Sequence, residues 1–190
     1  MRLRVAIGVL ICASLSAAVR AEGFPYTAYV TSDDVYVRSG PGKNYYPTSK
    51  LQRGNAVEIY RHDPGGWYAI RPPESSFSWI SGRYLEPAED GIAVVIGDRV
   101  MARVGSTLSD IRDVIQVRLY RDEEVEVLEA KRFGNGPGAQ TWYKISPPSG
   151  EFRWVFGKFI DRDPPAAPDR SERRRNLLIS DDDPDAGDDC

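Results

Sequence analysis

One stretch of the chain occurs twice without a gap, and this repeat restricts the fold more than any other feature. Gly66-Trp67-Tyr68-Ala69-Ile70-Arg71-Pro72-Pro73 is answered by Thr141-Trp142-Tyr143-Lys144-Ile145-Ser146-Pro147-Pro148, both reading W-Y-x-I-x-P-P. Phe77-Ser78-Trp79-Ile80 then matches Phe152-Arg153-Trp154-Val155, and Gly82-Arg83-Tyr84-Leu85 matches Gly157-Lys158-Phe159-Ile160, at a constant offset of 75. Self-similarity at so long a period means one structural unit used twice. Upstream, Val57-Glu58-Ile59 answers Val125-Glu126-Val127 at an offset of 68, and Val35 to Gly40 answers Val100 to Gly105 at 65. The shrinking offset requires insertions in the second copy. One falls in residues 130–141, where Phe133-Gly-Asn-Gly-Pro-Gly138 reads as a long loop.

The repeated segments are short and strand-like. Val125 and Val127 alternate with Glu124, Glu126 and Glu129, the period of a half-buried strand. Val35/Val37, Val57/Ile59, Tyr68/Ile70 and Tyr143/Ile145 behave likewise. Turn signals stand between them: Ser39-Gly-Pro-Gly42, Arg53-Gly54-Asn55, Asp63-Pro-Gly-Gly66 and Pro147-Pro-Ser-Gly150. Short strands with Gly/Pro turns predict small all-β barrels. Only Leu108–Val117 admits a helix, with Leu108, Ile111 and Ile115 near one stripe and Ser106 or Thr107 as cap. Alternation predicts Ile80 and Val155 inward, Trp79 and Trp154 outward, and Tyr68 and Tyr143 inward.

Val35-Tyr-Val-Arg-Ser-Gly-Pro-Gly42 resembles the opening motif of the bacterial SH3-like domain. Leu51-Gln-Arg-Gly54, Val57-Glu-Ile59, Gly66-Trp-Tyr-Ala-Ile70, Trp79-Ile80 and Tyr84-Leu85 continue its pattern in order. The resemblance implies two tandem small SH3-like barrels. The expected organisation is a first domain at 22–88, a second, divergent one at 92–161, and a short link, Glu86 to Gly91, that keeps them close. The second copy departs at its opening, where Arg103-Val-Gly-Ser106 lacks the Gly-Pro turn and a long 107–119 segment follows. The family also implies a non-enzymatic binding module for cell-wall peptide or glycan, with a protein–protein adaptor of the envelope as the alternative.

The residues themselves offer no catalytic set. His62 is the only histidine and adjoins Asp63 in a turn-rich stretch. No nucleophile elbow, phosphate loop or zinc motif is present. Asp33-Asp34 and Asp122-Glu123-Glu124 are loop acids whose ordinary role is solvation. No cofactor and no metal is expected, and a net charge of −3 gives no support to a nucleic-acid partner. The candidate ligand-binding residues are Tyr45 and Tyr46 on the first large loop, Trp79 on an outward strand face near it, and Arg38 at the turn. Trp67, Trp142, Trp154, Gly40 and Gly54 are read as structural repeat positions.

Both ends of the chain differ from this middle. Arg2 and Arg4 precede an apolar run from Val5 to Leu15, and small residues lead to Val19-Arg20-Ala21. That order is a secretory signal peptide, residues 1–21, which places the mature protein outside the cytoplasm, secreted or periplasmic, with no membrane span once it is cleaved. Ile11 before Cys12 does not fit a lipoprotein signal. Residues 161–190 carry ten acidic and five basic side chains. The 162–190 segment, with Pro164-Pro-Ala-Ala-Pro168 and an aspartate run, has too little apolar surface for a core and reads as a disordered tail. Cleavage leaves Cys190 as the only cysteine, free to form a disulfide with a second chain. The signal reading predicts that the exported protein begins near Glu22; an intact mass that retains Met1 or Arg2 refutes it.

Overall fold

The computed structural model describes residues 23–166. The signal segment, Cys12, Cys190 and the chain after residue 166 lie outside the described residues. The described chain is all-β. Its fourteen strands are β1 (Tyr26–Val30), β2 (Val35–Arg38), β3 (Pro47–Leu51), β4 (Ala56–Asp63), β5 (Trp67–Ile70), β6 (Ser78–Ser81), β7 (Leu85–Pro87), β8 (Ile92–Val95), β9 (Val100–Val104), β10 (Ile115–Leu119), β11 (Glu124–Phe133), β12 (Gln140–Ile145), β13 (Arg153–Phe156) and β14 (Ile160–Asp161). Single 3₁₀ turns precede β7 and β14, at Gly82–Tyr84 and Gly157–Phe159.

The strands form two seven-stranded sheets, ordered β14-β1-β4-β5-β13-β2-β3 and β7-β8-β11-β12-β6-β9-β10. Position by position these are the same sheet, with one exchange. The arm β6–β7 ends the first sequence repeat but completes the second sheet, and β13–β14 ends the second repeat but completes the first. β13 sits between β5 and β2, pairing Trp154 with both Ala69 and Arg38. β6 sits between β12 and β9, pairing Trp79 with Lys144 and Arg103. The boundary read at 88–92 falls inside a hairpin of the second sheet, where β7 pairs with β8. Each arm leaves its own repeat through a Pro-Pro step, Pro72-Pro73 or Pro147-Pro148. Proline holds these linkers extended, which favours reaching across over turning straight back.

Smaller details repeat as well. The amide of Gly54 donates to the Val30 carbonyl at 2.8 Å, and that of Asp122 to the Val95 carbonyl at 2.9 Å. Both residues have positive φ, +85° and +68°, so the tight β3–β4 turn takes glycine and its counterpart tolerates aspartate. Across the exchange, Thr31 N–H donates to Phe159 O, and Ile96 N–H to Tyr84 O.

Each sheet curls around its own core. Val30, Val37, Leu51, Ile59, Ile70 and Val155 lie in one cluster; Ile80, Leu85, Val95, Ala102, Val125 and Ile145 lie in the other. Strands at opposite ends of the first sheet, β3 and β14, both reach its cluster, as they must in a sheet bent on itself. Ile80 and Val155 point inward as predicted, with Tyr68 and Tyr143 packed against the two clusters. Trp79 and Trp154 occupy the opposite face, but that face is covered: they are only 3% and 8% exposed. Phe77 and Phe133 pack edge-on against Trp79, while Trp67, Phe152 and Phe156 surround Trp154.

The helix admitted around Leu108–Val117 does not form. Ile115–Leu119 is a strand on β9, and the preceding segment is irregular. Its backbone carbonyls are used elsewhere: Arg103 Nη1 donates to Arg112 O at 2.7 Å, and Tyr46 Oη lies 3.1 Å from Ile111 O.

Where the arms cross, a charged pair is sealed inside. Arg153 Nη1 lies 2.5 Å from Glu151 Oε1, with both side chains fully buried. Ser78 Oγ lies 2.7 Å from both carboxylate oxygens, so one O–H serves the same group. Arg153 also donates to Phe152 O and to Phe77 O, which binds it to both arms. Burial lowers the pKa of Arg153, and Glu151 opposes this; the guanidinium stays charged at any ordinary pH. In the first repeat these positions are Ser76 and Ser78, so only one crossing arm carries the ions. Removing one member of a buried pair strands the other charge, at a cost of about 3–5 kcal/mol. Glu151→Ala should therefore lower the urea midpoint sharply, whereas Glu151→Leu with Arg153→Met should recover most of it. Equal stability of Glu151→Ala and the parent would show that the pair does not hold the crossing.

Candidate ligand cleft

A cleft of about 260 Å³ opens on the first sheet. Four aromatic side chains line it: Tyr36 from β2, Trp67 from β5, Phe156 from β13, and Phe159 from the following 3₁₀ turn. Trp67 and Phe156 meet at 5.4 Å between ring centres, and Phe156 and Phe159 at 6.1 Å. Tyr36 is 45% exposed and so offers a ring to solvent. Arg38 and Lys43 provide cations, and Asp33 and Asp34 carboxylates. The Asp34 carboxylate pairs with Lys50 at 3.2 Å, and Asp33 accepts the Arg53 amide at 3.1 Å. Both acids are thereby held in place by the loop. Larger hollows lie beside the Pro-Pro linkers, one near the β3–β4 turn and one near the β10–β11 turn. They recur at equivalent residues, so they follow from the shared topology.

Of the residues singled out from sequence, Arg38 lines the cleft. Its guanidinium lies 5.3 Å from the Tyr36 ring centre and donates to Tyr45 O at 2.9 Å. Tyr45 is on the adjoining loop and is 48% exposed, but it is not part of the cleft wall. A Cβ at Gly40 would overlap the Tyr45 ring, so this glycine sets where that ring lies. Tyr46 turns the other way and hydrogen-bonds the carbonyls of Ser109 and Ile111, tying the two halves together. Trp79 keeps the outward side of its strand, but that side is covered and does not lie beside this loop. The strand exchange carries it into the second sheet and puts Trp154 opposite Arg38 instead.

Sequence reasoning missed Tyr36, Phe156 and Phe159 as site residues. Alternation along β2 pointed Tyr36 outward and could have found it. No local signal links Phe156 and Phe159 to a loop more than 110 residues earlier. The same positions in the second half are Met101, Ser81 and Tyr84. There the 107–119 segment also lies over the sheet, with the Arg112 guanidinium 5.9 Å from the ring centres of both Trp79 and Trp142. The aromatic cleft therefore belongs to the first sheet.

His62 lies on β4, stacked on Tyr68 at 3.9 Å with its Nε2 2.7 Å from Tyr26 Oη. Asp63 turns to the opposite face and accepts from Trp154 Nε1 at 2.6 Å and from Arg61 Nε at 2.7 Å. The two side chains thus point apart.

Residues 33–86 match the bacterial SH3 domain. No curated protein and no solved structure matches the chain. The bacterial SH3 domain is a family of binding modules, generally without catalysis, and the matched segment supplies Tyr36, Arg38 and Trp67 to the cleft. Phe156 and Phe159 come from beyond it, while the end of the matched segment, from Ser78 onward, lies in the second sheet.

Asp63 also gives the first sheet a pH dependence. Burial raises its carboxyl pKa, but hydrogen bonds from Arg61 and Trp154 and the Arg61 charge outweigh that and leave it below the ordinary value. A depressed folded-state pKa contributes stability above the unfolded value and loses it as pH falls through the folded one. Asp63→Asn should accordingly flatten the acid limb of a stability–pH curve measured by urea denaturation. An unchanged slope would remove Asp63 from this account.

Proposed function

We propose that the protein is a non-enzymatic binding protein of the bacterial cell envelope, secreted or periplasmic after loss of residues 1–21, and that its ligand is cell-wall peptide or glycan held in the cleft of the first sheet. In this reading the second half is a diverged second copy of the bacterial SH3 domain that completes and braces the first. The observation that carries the proposal is the cleft itself. Tyr36, Phe156 and Phe159 offer ring surface for sugar rings or peptide backbone over a floor formed by buried Trp67, and the basic and acidic lips suit a ligand with both carboxylate and amine groups. The protein-adaptor reading rests on a different surface, where the loops joined by Tyr46 expose Tyr45, Leu108 and Ile111.

Co-sedimentation with purified insoluble peptidoglycan tests the proposal. Tyr36→Ala with Phe159→Ala removes two rings worth about 1 kcal/mol each and should weaken binding about tenfold or more. Tyr45→Ala, outside the cleft wall, should have a smaller effect. Failure of the parent protein to sediment with cell wall, or equal binding by the double variant, would refute the cell-wall reading of this cleft.

A further inference from the structure

The two halves act as internal controls for each other, and one face differs in charge. Asp63 and Lys131 are equivalent, since each pairs with the repeated tryptophan of the next strand, Trp67 or Trp142. By the same register Arg61, opposite Ala69, corresponds to Glu129, opposite Lys144. In the first half the Asp63 carboxylate neutralises Arg61 and accepts the Trp154 indole. In the second half a lysine occupies the position of that carboxylate, and Trp79, the counterpart of Trp154, has no such acceptor among the described residues. Lys144 adds a cation 5.5 Å from the Trp79 ring centre, and the 107–119 segment adds Arg112.

The acids nearby are already engaged. Glu129 pairs with Lys144 at 2.5 Å, and Asp113 lies 3.8 Å from Arg103. Among the described residues no carboxylate is in ion-pair contact with Arg112 or Lys131; the charge of Lys131 does act on Glu129, which Lys144 already holds. The two flank one ring, with the Arg112 guanidinium 3.6 Å and the Lys131 ammonium 5.2 Å from the centre of Phe133. Arg112 Nη1 is buried without an acceptor. A buried donor left unpaired is costly, so the face is short of an anion.

We propose that the outer face of the second sheet, around Trp79, Lys131 and Phe133, is a carboxylate-binding surface, and that its occupant is the chain's own Asp181–Asp189 segment. That segment holds six aspartates and no cation, whereas residues 22–160 are close to neutral. From Ala166, the intervening residues 167–180 span up to about 45 Å when extended, enough to cross a domain of this size. Tethering raises the effective concentration of the segment to about the millimolar range, so weak, salt-sensitive contacts suffice. Arg173–Arg175, in the intervening residues, are the competing partner for these aspartates.

The test is nitrogen-15 NMR of the chain from Glu22 to Cys190, compared with a variant in which the six aspartates are asparagine. The Trp79 indole N–H and the Lys131 and Trp142 amides should shift between the two proteins, while the Trp154 indole stays in place. The difference should vanish in about 1 M salt, where the screening length is about 3 Å. It should also shrink by at least about half when Lys131→Gln is placed in both proteins, because that removes one of the two flanking cations. Coincident spectra, as expected if Arg173–Arg175 neutralise the aspartates, would overturn the proposal. So would shifts confined to the first sheet, or shifts that persist in high salt.

Discussion

The crossing of the two arms, locked by the buried Glu151–Arg153 pair, is the constraint on which the rest of this structure depends. A charged pair out of contact with water tolerates little change of geometry, because each ion relies on the other and on fixed oxygen and hydroxyl partners. Arg153 bonds to Phe152 on its own arm and Phe77 on the other, and Glu151 accepts from Ser78. The pair therefore fixes the register of one arm against the other. Its restriction to the second repeat also distinguishes two arms that would otherwise be near equivalents.

The exchange makes the cleft a joint product of both repeats. A cleft built from the first repeat alone would have Ser81 and Tyr84 where Phe156 and Phe159 stand. Crossing brings the more aromatic arm to the sheet that keeps the Gly-Pro turn and Arg38. The second sheet receives the less aromatic arm, and its 107–119 segment places Arg112 near Trp142, the counterpart of Trp67. The two repeats thus present different surfaces: one sheet has an open aromatic cleft, and the other has Lys131 and Arg112 about Phe133 on its outer face.

Much of the fold was legible from the chain. Period-2 alternation located the strands because one face of each must meet a core, and Gly/Pro turns separated them. Repetition at an offset of 75 established two related units. The helix admitted at Leu108–Val117 failed because its carbonyls are taken by Arg103 and Tyr46, partners that lie outside the segment. Trp79 was given its strand face correctly and its environment wrongly, since alternation says which side of a sheet a residue occupies but not what covers that side.

The sequence by itself determined the all-β class, the two-fold repetition, the inward aliphatic positions and Arg38 as a candidate, because local periodicity and turn chemistry act within a few residues. Only the tertiary structure decided which repeat each terminal arm completes. A strand added to its own repeat or to the other would make the same kind of hydrogen bonds with similar residues, so local preference is nearly silent between them. The choice rests on contacts between positions far apart in the chain: the extended Pro-Pro linkers, the buried ions, and Tyr46 on Ser109 and Ile111. For the same reason, the aromatic cleft could not be read from either repeat alone.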